Sequence, residues 1–186
     1  MFLKLFLISA VILSSTGHQR HQDRQLNGTA AIRARARIFR ANPEGKLSPR
    51  LGQVRFRQRG NKVKVIGIVF GLKPGYHGFH IHQNSGLGNN CMDAGAHYNP
   101  FNRTHGAPND TARHIGDLGN IYTPNSTTTW INITDSTISL NGAHNILGRT
   151  VVIHADPDDL GRGNSTESNR TGNAGKRVAC GIIELV

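Results

Sequence analysis

Ten histidines are spread unevenly along the chain. His80 and His82 stand two apart in Gly78-Phe79-His80-Ile81-His82, so on a strand both rings point to one face. His97, His105 and His114 follow, Asp117 comes three residues after His114, and His154 ends a short apolar run. Neutral imidazoles suit copper and zinc, and a carboxylate beside three histidines suits zinc. A lone histidine is more often structural or solvated than a ligand, and a His-x-His pair alone is a weak signal. Here five histidines and Asp117 fall between positions 80 and 117, at strand ends and in Gly-rich stretches. The ensemble points to metal binding.

The elements that must position these residues read as strands. Thr29 to Phe39 alternates Ile32, Ala34, Ala36 and Ile38 with Arg33, Arg35 and Arg37. Val54 and Phe56 alternate with Arg55 and Arg57, and Val63 and Val65 with Lys62 and Lys64, before Ile66 to Leu72. That period of two predicts half-buried antiparallel strands, with Gly60-Asn61 as a hairpin turn between two of them. Further strands are expected at Tyr76–His82, Leu118–Tyr122, Thr128–Ile133, Thr150–His154 and Arg177–Val186. In Thr128–Ile133, Trp130 and Asn132 should face away from Ile131 and Ile133. No long amphipathic helix and no repeat is evident. About eight strands predict an all-β sandwich or flattened barrel. The polar stretches Gln83–Gly116 and Ala155–Lys176 are long enough to be functional loops, and the first carries most of the candidate ligands.

The 186 residues suffice for one domain. Lys4, the apolar run Leu5–Leu13 and the small residues Ser14 to Gly17 read as a signal peptide over 1–17, cleaved after Gly17. The run is too short to anchor in a bilayer, and no membrane span is expected elsewhere. A flexible polar tail over 18–28 then precedes the domain at 29–186. Seven Asn-x-Ser/Thr sequons fit a secreted product: Asn27, Asn102, Asn109, Asn125, Asn132, Asn164 and Asn169. A minority of them is expected to be used. In an oxidising compartment Cys91 and Cys180 suggest one disulfide, the alternative being two buried thiols. The formal net charge of +11 favours anionic partners or substrates. Charge alone would also fit nucleic acid, but the leader argues against a nucleic-acid partner.

At this point the chain resembles the copper/zinc superoxide dismutase family. Gly78-Phe79-His80-Ile81-His82 is similar to its first signature, and Gly172-Asn173-Ala174-Gly175-Lys176-Arg177-Val178-Ala179-Cys180-Gly181 to its second. Ala96-His97-Tyr98-Asn99-Pro100, His105-Gly106-Ala107-Pro108 and Arg113 to Asn120 resemble its zinc loop. The resemblance runs from about Thr29 to Val186 and implies an eight-stranded Greek-key β-barrel.

It also implies roles. Copper would sit on His80, His82, His97 and His154, and zinc on His97, His105, His114 and Asp117. His97 would bridge the two as an imidazolate. Superoxide would reduce copper and leave as dioxygen; a second superoxide would reoxidise it and leave as hydrogen peroxide, with His97 taking up and releasing a proton. Asp158 would orient one histidine of each metal, Arg177 would guide and dock the anion, and Thr171 would narrow the channel opposite it. Cys91 and Cys180 would form the family disulfide. His77 is expected to be packed and structural, His144 a loop residue, and His18 and His21 solvated.

Some positions depart from the family. Thr166 and Glu167 replace two adjacent glutamates while Arg162 and Arg170 remain, so a more positive channel mouth is expected. Asn84 and Glu184 stand where a family dimer contact would be apolar or glycine, which leaves Leu147, Ile182 and Leu185 as the candidate patch for a homodimer. Arg33, Arg35, Arg37, Arg55, Arg57, Arg59, Lys62 and Lys64 should share one outer face, either as a solubilising surface or as a site for sulfated glycans or other extracellular polyanions. Two rivals to an enzyme are a non-catalytic copper-binding member of the fold and a polyanion-binding one.

Overall fold

The computed structural model describes residues 30–43 and 49–186. The leader over 1–17, the tail over 18–28 and the sequon at Asn27 lie outside the described residues. Eight strands follow in chain order: β1 (Ile32–Arg40), β2 (Arg50–Arg59), β3 (Lys62–Phe70), β4 (Gly75–His82), β5 (Asp117–Thr123), β6 (Thr128–Asp135), β7 (Thr150–His154) and β8 (Arg177–Leu185). They form one sheet in the order β5-β4-β7-β8-β1-β2-β3-β6, with every neighbouring pair antiparallel. The edge strands β5 and β6 come back together, and the Thr123 and Thr129 hydroxyls lie 2.6 Å apart across that seam. The result is a nearly closed all-β barrel, one of the two architectures that the strand pattern left open and the one that the family resemblance implied. Among the described residues only single helical turns occur, at Gly88–Cys91, Met92–Ala94, Gly142–His144 and Ser168–Thr171.

The alternation decides which side chains fill the barrel. Ala34, Ala36 and Ile38 of β1, Val54 and Phe56 of β2, and Val63, Val65 and Val69 of β3 point inward and are buried, while the intervening Arg and Lys face out. Phe79, Ile81, Ile131, Val151, Ile153 and Ile183 complete the same core. Each fully buried side chain of this size contributes about 1.5–3 kcal/mol. Gly60 turns at φ 57 in the β2–β3 hairpin, as its Gly-Asn pair requires.

Cys91 and Cys180 are disulfide-bonded. The bond joins the connection 83–116, between β4 and β5, to β8, and packs with Ala94 and Val152 as a second small core outside the barrel. His77 is buried as expected, with its ring nitrogens 2.8 Å from the His154 and Lys73 carbonyl oxygens. His144 lies on a short helical turn with Nδ1 2.9 Å from the Thr137 carbonyl. Among the described residues no helix is long and apolar enough to cross a membrane.

Candidate metal centre

In β4, Phe79 and Ile81 enter the barrel core, so the two-residue period turns His80 and His82 to the outer wall. They are nevertheless 0% and 1% exposed, because connections 83–116 and 155–176 fold over that wall. Register supplies the rest. His80 stands opposite Asp117 on β5 and Val152 on β7, and His154 ends β7 opposite Arg177 on β8. His97 is held beside His82 by an isolated antiparallel bridge, extended by backbone bonds from Gln83 to Ala96 and from Tyr98 to Ile81.

Two groups of four ligand-bearing residues result. His80, His82, His97 and His154 form one, and His97, His105, His114 and Asp117 the other; within each, one ligand atom per residue lies within 4.8 Å of the rest. His97 belongs to both. Its Nδ1 lies 2.8 Å from Asp117 Oδ1 and 3.4 Å from His114 Nδ1. Its Nε2 is buried and without a hydrogen-bond partner. In the first group His154 Nε2 faces His82 Nε2 at 3.4 Å, and His80 Nδ1 is another buried atom without a partner. His105 Nδ1 lies 3.1 Å from Asp117 Oδ2 but off hydrogen-bonding geometry.

Buried polar atoms normally find partners. Three buried ring nitrogens, His80 Nδ1, His97 Nε2 and His105 Nδ1, have none, and all three belong to the two groups that share His97. Four imidazole nitrogens suit copper, and three imidazoles with a carboxylate suit zinc. The electrostatics agree. Burial, then neighbouring His80, pushes His97 down to about 3, against the pull of Asp117. Burial also holds His82 and His154 well below the ordinary range. Those three rings are therefore neutral at pH 7, the form that binds metal. Burial raises Asp117, but His105, His114 and His97 outweigh it and hold the carboxyl far below its usual range. For His105, burial is outweighed by the carboxylates of Asp117 and Asp158, which lift it to about 9.

The far side of nearly every ring is fixed. His82 Nδ1 is 2.8 Å from the Gly95 carbonyl, His154 Nδ1 3.2 Å from that of Gly175, and His114 Nε2 3.0 Å from that of Arg103. Asp158 spans both groups, with Oδ2 2.9 Å from His80 Nε2 and Oδ1 2.8 Å from His105 Nε2. Such outer contacts choose which nitrogen remains for a metal. Gly172, at φ 67, passes so close to Asp158 and His105 that a Cβ would collide with both.

The family pattern of "Copper/zinc superoxide dismutase (SODC)" matches residues 50–183. The chain belongs to the copper/zinc superoxide dismutase family. Relatives named extracellular copper–zinc superoxide dismutase include one from Haemonchus contortus, 50% identical over all of this chain and 99% of the relative. Another, from Caenorhabditis elegans, is 54% identical over 83% of this chain and 70% of the relative. Among solved structures, that of the clock protein EA4 superposes with a TM-score of 0.75 at 41% identity, over 86% of this chain and 98% of that one.

A cleft leads to the histidines. It has a volume of about 650 Å³ and reaches His82, His97 and His154, with Arg177 and Thr171 on its walls. Arg177 donates from Nη2 to the Gly95 carbonyl at 2.6 Å and from Nη1 to the Cys91 carbonyl at 2.7 Å, so the disulfide loop aims its guanidinium. Burial lowers the pKa of this arginine. A roomier groove of about 770 Å³ lies elsewhere, on the β2–β3–β6 wall.

The six histidines and Asp117 fall in the two groups, Asp158 contacts one ring of each, and Arg177 and Thr171 line the cleft. The mouth differs from expectation in one respect. Arg162 turns aside to Asp110, with Nη2 at 3.2 Å from Oδ1, and Arg170 pairs with Glu167 at 2.8 Å. Arg103, which no motif contained, and Lys176, which stood in the second signature without an assigned role, join Arg170 and Arg177 in lining the cleft. The backbone acceptors at Gly95, Gly175 and Arg103 carry no side-chain signal, and Asn120 was legible only as part of a motif. The patch considered for a homodimer has Leu185 exposed and Leu147 and Ile182 half-buried, with Glu184 opposite Arg35 in the β1–β8 register.

Proposed function

We propose that the chain is an extracellular copper/zinc superoxide dismutase that turns two superoxide anions and two protons into dioxygen and hydrogen peroxide. One observation supports the residue assignment: His97 belongs to both groups of ligands, its Nδ1 facing Asp117 and its buried Nε2 left without a hydrogen-bond partner. Copper would be held by His80 Nδ1, His82 Nε2, His97 Nε2 and His154 Nε2. Zinc would be held by His97 Nδ1, His105 Nδ1, His114 Nδ1 and Asp117 Oδ1.

Copper bound there would supply one-electron redox chemistry, and zinc would supply fixed positive charge. The protein's own residues supply the rest. Arg177 presents its cation in the cleft, where it attracts and orients the anion. Thr171, on the same cleft, limits the size of what enters. His97 Nε2 is the atom at which a proton can be held and passed to departing peroxide, and Asp117 fixes that ring from the opposite nitrogen. Asp158 keeps His80 and His105 aligned throughout.

The metal-loaded protein should evolve peroxide far in excess of its own molar amount. Stoichiometric consumption that stops after one equivalent would instead favour a non-catalytic copper carrier. The secretory reading rests on the leader over 1–17; secreted product whose first residue is His18 supports it, and retention of Met1 contradicts it.

We also propose a polyanion-binding face on the barrel wall. The register sets Arg33 opposite Arg57, Arg35 opposite Arg55, Arg57 opposite Lys64 and Arg59 opposite Lys62. Like charges directly opposite each other destabilise a sheet, and a sulfated chain laid across them would relieve the repulsion. Arg37 extends the same exposed face. Retention on immobilised heparin, lost on Arg55→Glu with Arg57→Glu, is the expected result; elution of wild type with a neutral control rejects this face.

A further inference from the structure

The outer wall of β3 and β6 carries an apolar surface that the dismutase chemistry does not use. Trp130 is 69% exposed, Phe70 53% and Ile66 41%. They line the open groove on the β2–β3–β6 wall together with Ile68, Arg55, Lys64 and Asn132. Exposed apolar surface gathered in one groove marks a binding site in many proteins.

Asn132 is also the acceptor of the sequon Asn132-Ile133-Thr134. On β6 the two-residue period puts Trp130, Asn132 and Thr134 on the outer face, and all three are exposed. In the register Asn132 stands directly opposite Ile66, and Trp130 opposite Ile68. A sugar on Asn132 would therefore begin beside Ile66 and the indole of Trp130. Exposure alone does not single out this sequon, because Asn102, Asn109, Asn125, Asn164 and Asn169 are exposed as well. What distinguishes Asn132 is the apolar groove that it lines. Asn102 and Asn169 line the catalytic cleft instead, where a glycan would obstruct the anion.

We infer that Asn132 is N-glycosylated and that the first N-acetylglucosamine units of its glycan lie in this groove, with a sugar face against Trp130 and hydroxyls within reach of Arg55 and Lys64. The inference rests on the secretory reading. In the transfer, Asn132 Nδ2 bonds to the anomeric carbon of a lipid-linked diphospho-oligosaccharide; the bond from that carbon to the phosphate oxygen breaks, a proton leaves Nδ2, and the lipid diphosphate departs. No electron transfer is involved. Attachment precedes folding of β6, and the finished barrel accommodates the product because Asn132 faces outward.

The test uses full-length protein secreted from eukaryotic cells. Enzymatic release of glycans in heavy-oxygen water, followed by fragmentation of the peptides, should mark Asn132, and Thr134→Ala should abolish that mark. Trp130 is the sole tryptophan, so its emission reports directly on the groove. Complete glycan removal should shift the emission to the red and increase acrylamide quenching, to match Asn132→Asp; trimming to a single N-acetylglucosamine should leave the shielding in place. A bare Asn132 in a preparation whose other sequons carry glycans overturns the proposal alone. An intracellular product with every sequon bare overturns the secretory reading and this proposal together. Unchanged quenching, with self-association lost in Trp130→Ser, assigns the groove to a second copy of the chain and rejects the glycan.

Discussion

Asn120 grips Asp158 at both backbone ends: its Nδ2 donates to the Asp158 carbonyl at 2.8 Å, and its Oδ1 accepts from the Asp158 amide at 2.8 Å. Asp158 in turn spans the two groups of ligands through His80 and His105. A β5 side chain thus fixes the carboxylate that orients one ring of each group. Asn120→Ala should leave the barrel folded and weaken metal binding by about 10- to 100-fold, the usual consequence of losing an outer contact. Competition titration against a chelator measures this, and unchanged affinity would remove Asn120 from the account.

Arg177 is aimed by carbonyl acceptors of the disulfide loop. Arg177→Ala should retain both metals and lose catalytic efficiency. A charge-assisted contact of about 1.5–3 kcal/mol corresponds to roughly 10- to 100-fold in rate. Arg177→Lys should restore part of the attraction without the two-pronged geometry. The dependence of rate on ionic strength should flatten in the alanine variant. A full rate with full salt dependence would contradict this role.

Zinc loading of the metal-free protein should release protons. The carboxylates of Asp117 and Asp158 lift His105 to about 9, so its ring is protonated at pH 7 and zinc must displace that proton. His97, pushed down to about 3, enters as the neutral ring. Zinc affinity should rise with pH and level off above about 9. The same shift is a stability term in the metal-free protein. It is fully present below the ordinary histidine value of 6.5 and is lost as pH rises through about 9. Calorimetric zinc titrations in two buffers of different ionisation heat should show release of roughly one proton at pH 7. Zero release would contradict the His105 environment.

The Cys91–Cys180 bond closes a loop of sequence separation 89. In the chain-entropy treatment that closure is worth about 4–5 kcal/mol. Cys91→Ser with Cys180→Ser should lower the denaturation midpoint, and activity should fall further than stability alone requires, because the Cys91 carbonyl that holds Arg177 is released with the loop. A variant that is destabilised but fully active at low temperature would separate the disulfide from catalysis.

Much of the fold and of the centre was legible in the sequence, for physical reasons. Alternation of Ala, Val, Ile and Phe with Arg and Lys gave β1 to β3 their inner and outer faces, and Trp130 and Asn132 lie opposite Ile131 as that period requires. His80 and His82 share a face because a strand repeats every two residues. The outer supports were not legible, because their partners are main-chain carbonyls at Gly95, Gly175 and Arg103. The turn of Arg162 to Asp110 was hidden as well, since it depends on how two distant loops meet. The Greek-key barrel came from resemblance and not from periodicity, and strand order was not legible at all, because alternation fixes faces but not neighbours.

Anomalous diffraction from crystals of the loaded protein, at the copper and zinc absorption edges, decides whether His97 lies between two different metals. A copper peak is expected on the Nε2 side of His97, within reach of His80, His82 and His154, and a zinc peak on the Nδ1 side, with His105, His114 and Asp117. A single peak, or two peaks of which either leaves His97 untouched, would contradict this arrangement.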